Sequence, residues 1–323
     1  MAYAIRMHAC GGPEVLQREE VTVGAPGPGE VRLRQRAAGL NYIDVYHRTG
    51  LYPLALPAVI GMEGAGVVEA VGPDVGDLKV GDRVAYAGVL GAYAQERLIA
   101  AERLVKLPES IDEVTAAALM LQGMTVRYLL RETYPVTSDT VLLFHAAAGG
   151  VGQIACQWAK AIGATIIGTV GSAEKGELAK ANGCTHVINY RTEDYVARVR
   201  EITGGRGCDV VYDGVGKDTF PSSLDCLKPK GLWVSFGNAS GPVPPFEMSI
   251  LSAKGSLFAT RPTLMTYIAR RADLVDNATE LFDMVAKGAI RIAPGGTYPL
   301  SEVADAHRDL EARKTTGSIV LLP

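Results

Sequence analysis

The sequence lacks the features that mark secreted, membrane-spanning and zinc-dependent proteins. Its five cysteines are odd in number, lie far apart and include no C-x-x-C pair, so neither a disulfide framework nor a structural zinc site is expected. No apolar run approaches the roughly 18 residues that span a bilayer, and the N-terminus has no basic segment followed by an apolar stretch. We therefore predict a cytoplasmic protein without a metal site.

An excess of charge of either sign is also lacking. The 32 basic and 35 acidic residues give a net charge of -3, so no strong field would attract nucleic acid or an anionic membrane. The length of 323 residues and the hydrophobic fraction of 48% predict two domains with buried cores. We expect a small-molecule partner, and neither a membrane nor a nucleic acid.

The pattern of predicted secondary structure changes along the chain. Up to about residue 120, short β-type runs such as VRLRQRAAGL lie between Gly and Pro residues, which predicts an antiparallel, barrel-like unit. A helical pattern begins at Val114, and from about 140 to 260 short β-type runs alternate with helical segments, as in a parallel sheet with crossover helices. The tail predicts an amphipathic helix and a closing strand, GSIVLLP, that packs back on the N-terminal barrel.

The segment TVLLFHAAAGGVGQIACQWAKAIGA contains a dinucleotide-binding fingerprint. A buried strand is predicted to end at His145, and Ala147, Gly149 and Gly152 then take the three fingerprint positions, with Ala in place of the first Gly. Gly149 would let the backbone approach a pyrophosphate and Gly152 would let the helix pack on the strand. A helix that begins near Gly150 would offer free N–H groups to the phosphates.

The end of the second strand favours NADP over NAD. An NAD enzyme places an Asp or Glu there to bind the ribose 2′-hydroxyl, whereas this chain has Gly171 and Ser172, followed by the cation of Lys175. Glu174 argues the other way, but it falls in the first turn of the next helix, where we expect it to face solvent. Tyr190, after the third strand, lies either against this end of the cofactor or simply at the surface.

These segments make the whole chain resemble the zeta-crystallin-like NADPH:quinone oxidoreductases, the zinc-free branch of the medium-chain dehydrogenase/reductase superfamily. The resemblance implies an α/β fold in which a GroES-like catalytic domain, an antiparallel barrel, occupies 1–122 and 264–323. It also implies a Rossmann NADP-binding domain with a doubly wound parallel sheet at 123–263, and a homodimer joined at the sheet edges through GSLFATR. The resemblance rests on GGPEVLQ, GLNYIDVYHRTGLYP, GMEGAGVVEAVG, VGDRV, LLFHAAAGGVG, VINYR, VVYDGVG, SLDCLKPKG and SFGN.

Departures from the zinc-dependent alcohol dehydrogenases of this superfamily bear on the reaction. Asn41 stands where such enzymes have a ligand Cys, and Met62, between Gly61 and Glu63, stands where they have a ligand His. Without a metal Lewis acid, the alkoxide formed from a simple alcohol would not be stabilised. The resemblance therefore implies an NADPH-dependent quinone reductase, because a quinone is already a strong electrophile and needs positioning more than a metal.

The resemblance also implies a set of cofactor contacts, in which Lys175, Tyr190 and Arg313 surround the 2′-phosphate. Together with the fingerprint glycines the set is Asn41, Tyr42, Tyr46, Tyr128, Gly149, Gly150, Val151, Gly152, Gly171, Ser172, Lys175, Tyr190, Val215, Phe236, Gly237, Asn238, Thr260 and Arg313.

For catalysis we hypothesise that Asn41, Tyr46 and Tyr52 line a slot between the two domains and donate hydrogen bonds to the acceptor oxygen, with Gln122 opposite them. Each of these side chains has an alternative role: holding the nicotinamide amide, or satisfying buried backbone groups. No general acid stands out, so water is the expected proton source.

Three other functions stay open. Reduction of an enone or enal at carbon would use the same hydride, and single-electron transfer to quinones is a further possibility within the family. A role of another class, as an RNA-binding or structural crystallin-like protein that binds NADPH, is disfavoured because charge is balanced and no aromatic-plus-basic platform is present.

Overall fold

The computed structural model describes residues 2–323, which form two compact units. Unit 1 comprises residues 2–124, 268–286 and 292–323, and unit 2 comprises 125–267 and 287–291. These limits lie two and four residues from the domain boundaries that we predicted at 122 and 263. In the part of the chain that is described, no helix is both long enough and apolar enough to cross a membrane.

Unit 1 is built on two sheets. One has three antiparallel strands in the order β2-β1-β4, and the other has seven, in the order β15-β16-β3-β5-β6-β8 with β7 also paired to β3. The strands are β1 (Ala2–Met7), β2 (Gln17–Val21), β3 (Glu30–Leu40), β4 (Ala58–Val59), β5 (Glu63–Val71), β6 (Arg83–Ala87), β7 (Glu96–Ala100), β8 (Val105–Lys106), β15 (Gly296–Pro299) and β16 (Ile319–Leu322).

The tail does return to the N-terminal strands, as predicted. Strand β16 pairs antiparallel with β3, matching Val320 to Gly39, and β15 pairs parallel with β16. The larger sheet is thus antiparallel except at this edge. Helix α1 (Tyr42–Thr49) directly follows β3, which places it beside the end of a central strand. The other helices that lie wholly in unit 1 are α9 (Arg271–Ala286) and α10 (Val303–Glu311).

Unit 2 is a six-stranded parallel sheet in the order β11-β10-β9-β12-β13-β14. Its strands are β9 (Val141–Phe144), β10 (Thr165–Val170), β11 (His186–Asn189), β12 (Cys208–Asp213), β13 (Leu227–Ser235) and β14 (Phe258–Thr260). The helices between them are α3 (Gly150–Ile162), α4 (Ala173–Ala181), α5 (Tyr195–Ile202), α6 (Ser222–Asp225) and α7 (Ser249–Ala253), with α8 (Leu264–Tyr267) after β14.

The strand order of unit 2 reverses between β9 and β12. The chain first adds strands on one side of β9, through β10 and β11, and then continues on the other side from β12 to β14. Ligands of such sheets bind outside the carboxyl ends of the strands at this reversal. The predicted doubly wound parallel sheet is confirmed, and its reversal lies beside the fingerprint turn.

Helix α2 (Glu113–Tyr128) is the helix expected from Val114, and it continues into a π-helical segment, Leu129–Thr133. Its residues up to Met124 belong to unit 1 and the rest to unit 2. Because the division of units falls inside one helix, compactness does not fix where the domains begin and end, and the predicted boundaries stay a prediction.

Candidate active site

The fingerprint turn connects β9 to α3. Strand β9 ends at Phe144, one residue earlier than predicted, and Ala146 adopts a left-handed conformation with φ of 55°. Helix α3 begins at Gly150, as expected, with Gly149 as its N-cap. Because glycine has no side chain that could cap the helix, the N–H groups of the first turn have no side-chain acceptor from the cap residue, as an anion site at a helix N-terminus requires.

Close packing requires glycine at one position of this segment and favours it at a second. A Cβ at Gly152 would lie 2.7 Å from the Cα of Ala147, so only glycine lets α3 approach the turn this closely. A Cβ at Gly149 would lie 3.2 Å from the carbonyl oxygen of Ala146. The turn therefore fits a pyrophosphate in the way the fingerprint requires.

The end of β10 has the composition that the sequence indicates. Gly171 follows the strand, and Ser172 caps α4 by accepting a hydrogen bond from the backbone N–H of Lys175 at 3.2 Å. Glu174 is exposed in the first turn of α4. A Cβ on Gly171 would lie 2.6 Å from the Tyr190 hydroxyl, so Tyr190 covers this turn. The described end of the strand thus presents hydroxyl and amide groups, with the only nearby acidic side chain of the turn directed to solvent.

The other predicted cofactor residues of unit 2 follow the remaining strands of the same sheet. Val215 comes after β12, residues 236–238 come after β13, and Thr260 ends β14. Tyr128, at the end of α2, is buried and stacks on Tyr267 with ring centroids 4.3 Å apart. Because the strands are parallel, Val215, residues 236–238 and Thr260 lie at the same carboxyl end of the sheet although they are far apart in sequence.

In unit 1, Asn41 and Gln122 belong to a buried hydrogen-bond network. The Asn41 Nδ2 donates to Glu63 Oε1 at 2.6 Å, and the Gln122 Nε2 donates to Asn41 Oδ1 at 3.0 Å. The Ser318 hydroxyl donates to Gln122 Oε1 at 2.6 Å, and the backbone N–H of Leu121 donates to Glu63 Oε2 at 2.7 Å. The expectation that Gln122 sits opposite Asn41 is corrected, because the two amides are directly bonded.

Glu63 is the acidic group of this network. It is fully buried and receives hydrogen bonds only from amide N–H groups, and burial raises its pKa to about 8. The hydrogen bonds from Asn41 and Leu121 act in the opposite direction and do not overcome the desolvation. The carboxyl group is therefore mostly protonated at neutral pH.

A second buried chain anchors the start of α1. Asp44 Oδ2 accepts from the backbone N–H of Asn41 at 2.9 Å and from the Tyr93 hydroxyl at 3.0 Å. Tyr93 meets His307 Nε2 at 3.2 Å, and the Nδ1 of His307 lies 3.0 Å from Arg48 Nη1, which must be the donor. Burial and the Arg48 charge lower the pKa of His307 to about 3, so this histidine is neutral.

The aromatic side chains of the hypothesis cluster on and after α1. Tyr46 packs against Tyr52 with ring centroids 5.2 Å apart and against Tyr42 at 6.3 Å. The Tyr42 hydroxyl donates to the carbonyl of Leu310 at 3.3 Å. Arg313, three residues further on, is exposed and has a positive φ of 57°. These contacts join the segment around α1 to the end of α10.

Sequence reasoning missed Glu63 and Asp44 as part of the site. Both are buried carboxyl groups inside segments on which the family resemblance rests, GLNYIDVYHRTGLYP and GMEGAGVVEAVG. The apolar surroundings of Glu63 in GMEGAGVV are the signal of a buried acidic group that could have found it. Among residues 2–323, no group of three or more His, Cys, Asp or Glu side chains is arranged to hold a metal ion. A cavity of about 520 Å³ in unit 1, lined by Arg34, Arg36 and Pro323 among others, contains none of the predicted site residues.

Comparison with known proteins identifies the chain's relatives. Residues 27–109 match the alcohol dehydrogenase GroES-like domain and residues 150–283 match the zinc-binding dehydrogenase family. The chain is 55% identical to a quinone oxidoreductase of Pseudomonas aeruginosa and 50% identical to a 2-haloacrylate reductase of a Burkholderia species, with 99–100% of each chain covered. The crystal structure of Escherichia coli quinone oxidoreductase complexed with NADPH superimposes with a TM-score of 0.97 at 50% identity, over 99% of this chain and 100% of that one. The chain belongs to the quinone oxidoreductases of the medium-chain dehydrogenase/reductase superfamily.

Proposed function

We propose that this protein is an NADPH-dependent quinone reductase, which converts a quinone, NADPH and a proton to the hydroquinone and NADP⁺. The carrying observation is the pair of turns at one sheet edge: a glycine-capped helix that suits a pyrophosphate, beside a strand end whose side chains suit a 2′-phosphate. The names of the relatives and the NADPH-bound structure support the same conclusion.

NADPH, when bound, supplies the hydride. The N–H groups at Gly150, Val151 and Gly152 would bind its pyrophosphate. Ser172 and Lys175 would bind the 2′-phosphate, with Tyr190 over the same turn and Arg313 as a further cation. Val215, residues 236–238 and Thr260 would contact the nicotinamide half, since they follow the strands on the other side of the reversal.

For the acceptor, we propose Asn41, Tyr46 and Tyr52, with Gln122 as an orienting group. The Gln122 amide donates to the Asn41 carbonyl oxygen, and one N–H of the Asn41 amide donates to Glu63. The orientation of the Asn41 side chain is thereby fixed, and its second N–H can donate to the acceptor. This arrangement serves a metal-independent reaction, because an amide pinned by two neighbours replaces the thiolate ligand of the zinc enzymes.

The 2-haloacrylate reductase relative favours a second candidate, hydride transfer to an activated carbon–carbon double bond. The nicotinamide chemistry is the same, and only the acceptor differs. Rates with 1,4-benzoquinone, 9,10-phenanthrenequinone, a linear enone and 2-chloroacrylate at equal NADPH concentration separate the two. The quinone assignment requires the highest kcat/KM for a quinone.

Three further proposals concern the assembly, the location and the domains of the protein. Strand β14 is the edge of the unit 2 sheet, and its Phe258 is 62% exposed, which supports a homodimer joined at this edge. Sedimentation of the wild type and of Phe258→Lys tests this, since the charge should yield monomers. We also propose a cytoplasmic location, and a division of labour between a catalytic domain at 1–122 and 264–323 and an NADP-binding domain at 123–263.

The cofactor assignment is tested at Lys175. Replacement by Gln should raise KM for NADPH about tenfold or more while leaving KM for NADH within about twofold, because only NADPH has the phosphate that the cation binds. Lys180→Gln, on the same helix but exposed and paired with Glu177, is the matched control. Equal effects of Lys175→Gln on both cofactors would refute the phosphate contact.

The acceptor assignment is tested by single-turnover hydride transfer to 1,4-benzoquinone. Asn41→Ala and Tyr46→Phe should slow the transfer about tenfold or more, as expected when a donor to a developing oxyanion is lost. If both variants stay within about threefold of wild type, the oxyanion role of these side chains is wrong.

A further inference from the structure

A buried carboxylate in unit 2 organises the turn after β12. Asp213, the last residue of that strand, is 0% exposed, and its Oδ1 accepts from the backbone N–H groups of Val215 at 2.9 Å and Gly216 at 3.1 Å. The Thr219 hydroxyl shares its single proton between the two carboxylate oxygens, 2.7 Å from Oδ2 and 2.9 Å from Oδ1, and the Trp233 indole N–H donates to Oδ2 at 3.4 Å. The carboxylate thus fixes the turn that contains Val215.

Asp213 is also the end of a directed chain of side-chain hydrogen bonds. The Ser223 hydroxyl donates to Asp213 Oδ2 at 2.9 Å, so its oxygen can only accept from His145 Nε2, which lies 3.0 Å away. His145 therefore has its proton on Nε2, and its Nδ1 accepts from the Thr169 hydroxyl at 3.0 Å. Every proton in the chain points toward the carboxylate.

The chain links the ends of three neighbouring strands at the sheet reversal. Thr169 lies two residues before Gly171, at the end of β10, and His145 follows β9 and directly precedes the fingerprint turn. Asp213 ends β12. Tyr195 packs edge-on against His145 with ring centroids 5.3 Å apart, and all four hydrogen-bonded side chains are buried. The turns that follow β9, β10 and β12, each expected to contact a different part of a dinucleotide, are thereby joined by one network of hydrogen-bonded side chains.

Backbone pairing does not require this chain. Strands β9, β10 and β12 are already joined by their backbone hydrogen bonds, and burying a carboxylate among neutral partners has a desolvation cost. Polar chains of this kind instead fix geometry, because each member has one orientation that satisfies its neighbours. The geometry fixed here is that of the turns.

We propose that Thr169, His145, Ser223 and Asp213 are positioning residues that couple occupation of the adenosine-phosphate end of the site to alignment of the nicotinamide end. The proposal rests on the function proposed above. It predicts that a ligand in the first half, which holds the end of β10 in place, improves hydride transfer from a nicotinamide bound separately in the second half.

The experiment uses the two halves of the cofactor as separate molecules. Single-turnover oxidation of reduced nicotinamide mononucleotide by 1,4-benzoquinone is measured with and without saturating adenosine 2′,5′-bisphosphate. In the wild type the bisphosphate should accelerate the reaction about fivefold or more, the size of ordinary coupling between two sites. Ser223→Ala and the isosteric Thr169→Val each remove one hydroxyl and so interrupt the hydrogen-bond network. Each should reduce the acceleration to less than about twofold.

Thr140→Val is the matched control, because Thr140 is buried in the same unit but lies at the opposite end of β9, where its hydroxyl accepts from the backbone N–H of Thr137. It should keep the full acceleration. The proposal is overturned if the wild type shows no acceleration, if Ser223→Ala and Thr169→Val both keep it, or if either of these two variants no longer binds one of the fragments.

Failure of the proposed function looks different. If the protein neither binds NADPH in a titration nor oxidises it with any quinone, the function is wrong and the coupling with it. If NADPH is oxidised normally but the fragments act independently, the function stands and only the coupling is wrong.

Discussion

The two units each bury a carboxyl group that is hydrogen-bonded to a predicted site residue, and the two groups are held in different ways. Glu63 in unit 1 accepts hydrogen bonds from two amide groups, and burial raises its pKa to about 8. Asp213 in unit 2 accepts from five residues. Burial would raise the pKa of Asp213 too, but the hydrogen bonds from Thr219, Gly216 and Ser223 leave it below its usual value. Burial is common to both, so the number of donors decides the charge.

The donors also come from different distances along the chain. Four of the five Asp213 partners lie within ten residues after it, in the turn and helix that follow β12. Both Glu63 partners are remote, 22 residues before it and 58 residues after it. Asp213 obtains most of its hydrogen-bond donors from the turn and helix that follow it in sequence. Glu63 joins separate elements, so its donors are limited to the two N–H groups that those elements place near it.

The largest change in stability is expected for Asp213→Asn. An amide NH₂ in place of either oxygen would face donors, so we expect unit 2 to lose about 3 kcal/mol or more of stability. Trp158 and Trp233, the only two tryptophans of the sequence, both lie in unit 2, so urea unfolding followed by their fluorescence reports this unit.

The pH dependence of that loss has a definite sign. The folded pKa of Asp213 is below the unfolded value of 3.8, so its contribution is complete above that value and is lost as pH falls through the folded pKa. The gap between wild type and Asp213→Asn should stay constant from pH 5 to 8 and narrow in stronger acid. Asp139→Asn, an exposed carboxylate in the same unit, should change stability by less than about 0.5 kcal/mol. A similar loss in both variants would contradict the account.

Glu63→Gln tests the other side of the comparison. The folded pKa of about 8 exceeds the ordinary value of 4.5, so wild-type stability falls as pH rises between these values, because the folded protein retains a proton that the unfolded chain has released. Gln does not titrate. The variant should therefore gain on the wild type as pH rises from 5 to 9, by up to about 4 kcal/mol.

Hydrogen exchange of β5 and α2 measures this difference within unit 1. Glu109→Gln, at an exposed position of the same unit, should show no such trend. A gap between wild type and Glu63→Gln that is independent of pH would mean that Glu63 is ionised throughout, as Asp213 is.

The smallest expected effect comes from Ser318→Ala. The Ser318 hydroxyl lies 2.6 Å from Gln122 Oε1 and 2.7 Å from the carbonyl oxygen of Ala118, and these two acceptors share its single proton. Its loss removes a neutral hydrogen bond worth about 1 kcal/mol. Thermal unfolding of this variant and of Ser301→Ala, an exposed control, gives the difference. The change should not depend on pH, since no charge is removed; a pH-dependent loss would show that Ser318 acts through Glu63.

Much of the fold could be predicted because its signals are local. The alternation of β-type and helical segments between 140 and 260, the glycines of the fingerprint and the residue types that end β10 each act within a few residues, and the structure has the corresponding elements. The end of β9 was predicted one residue late, since a buried histidine at its carboxyl end extends the apolar pattern of the strand. The roles of the site residues remain predictions.

The sequence by itself determined the parallel sheet, the turn suited to a pyrophosphate, and the absence of a carboxylate at the end of β10, because each depends on backbone conformation or residue type at one place. Only the tertiary structure decided that Gln122 bonds Asn41, that Glu63 is buried with two donors, and that His145 stands between Thr169 and Ser223. These hydrogen bonds depend on which side chains come into contact from strands and helices that are remote in sequence. A pKa or a tautomer follows from such meetings, and no local pattern encodes them.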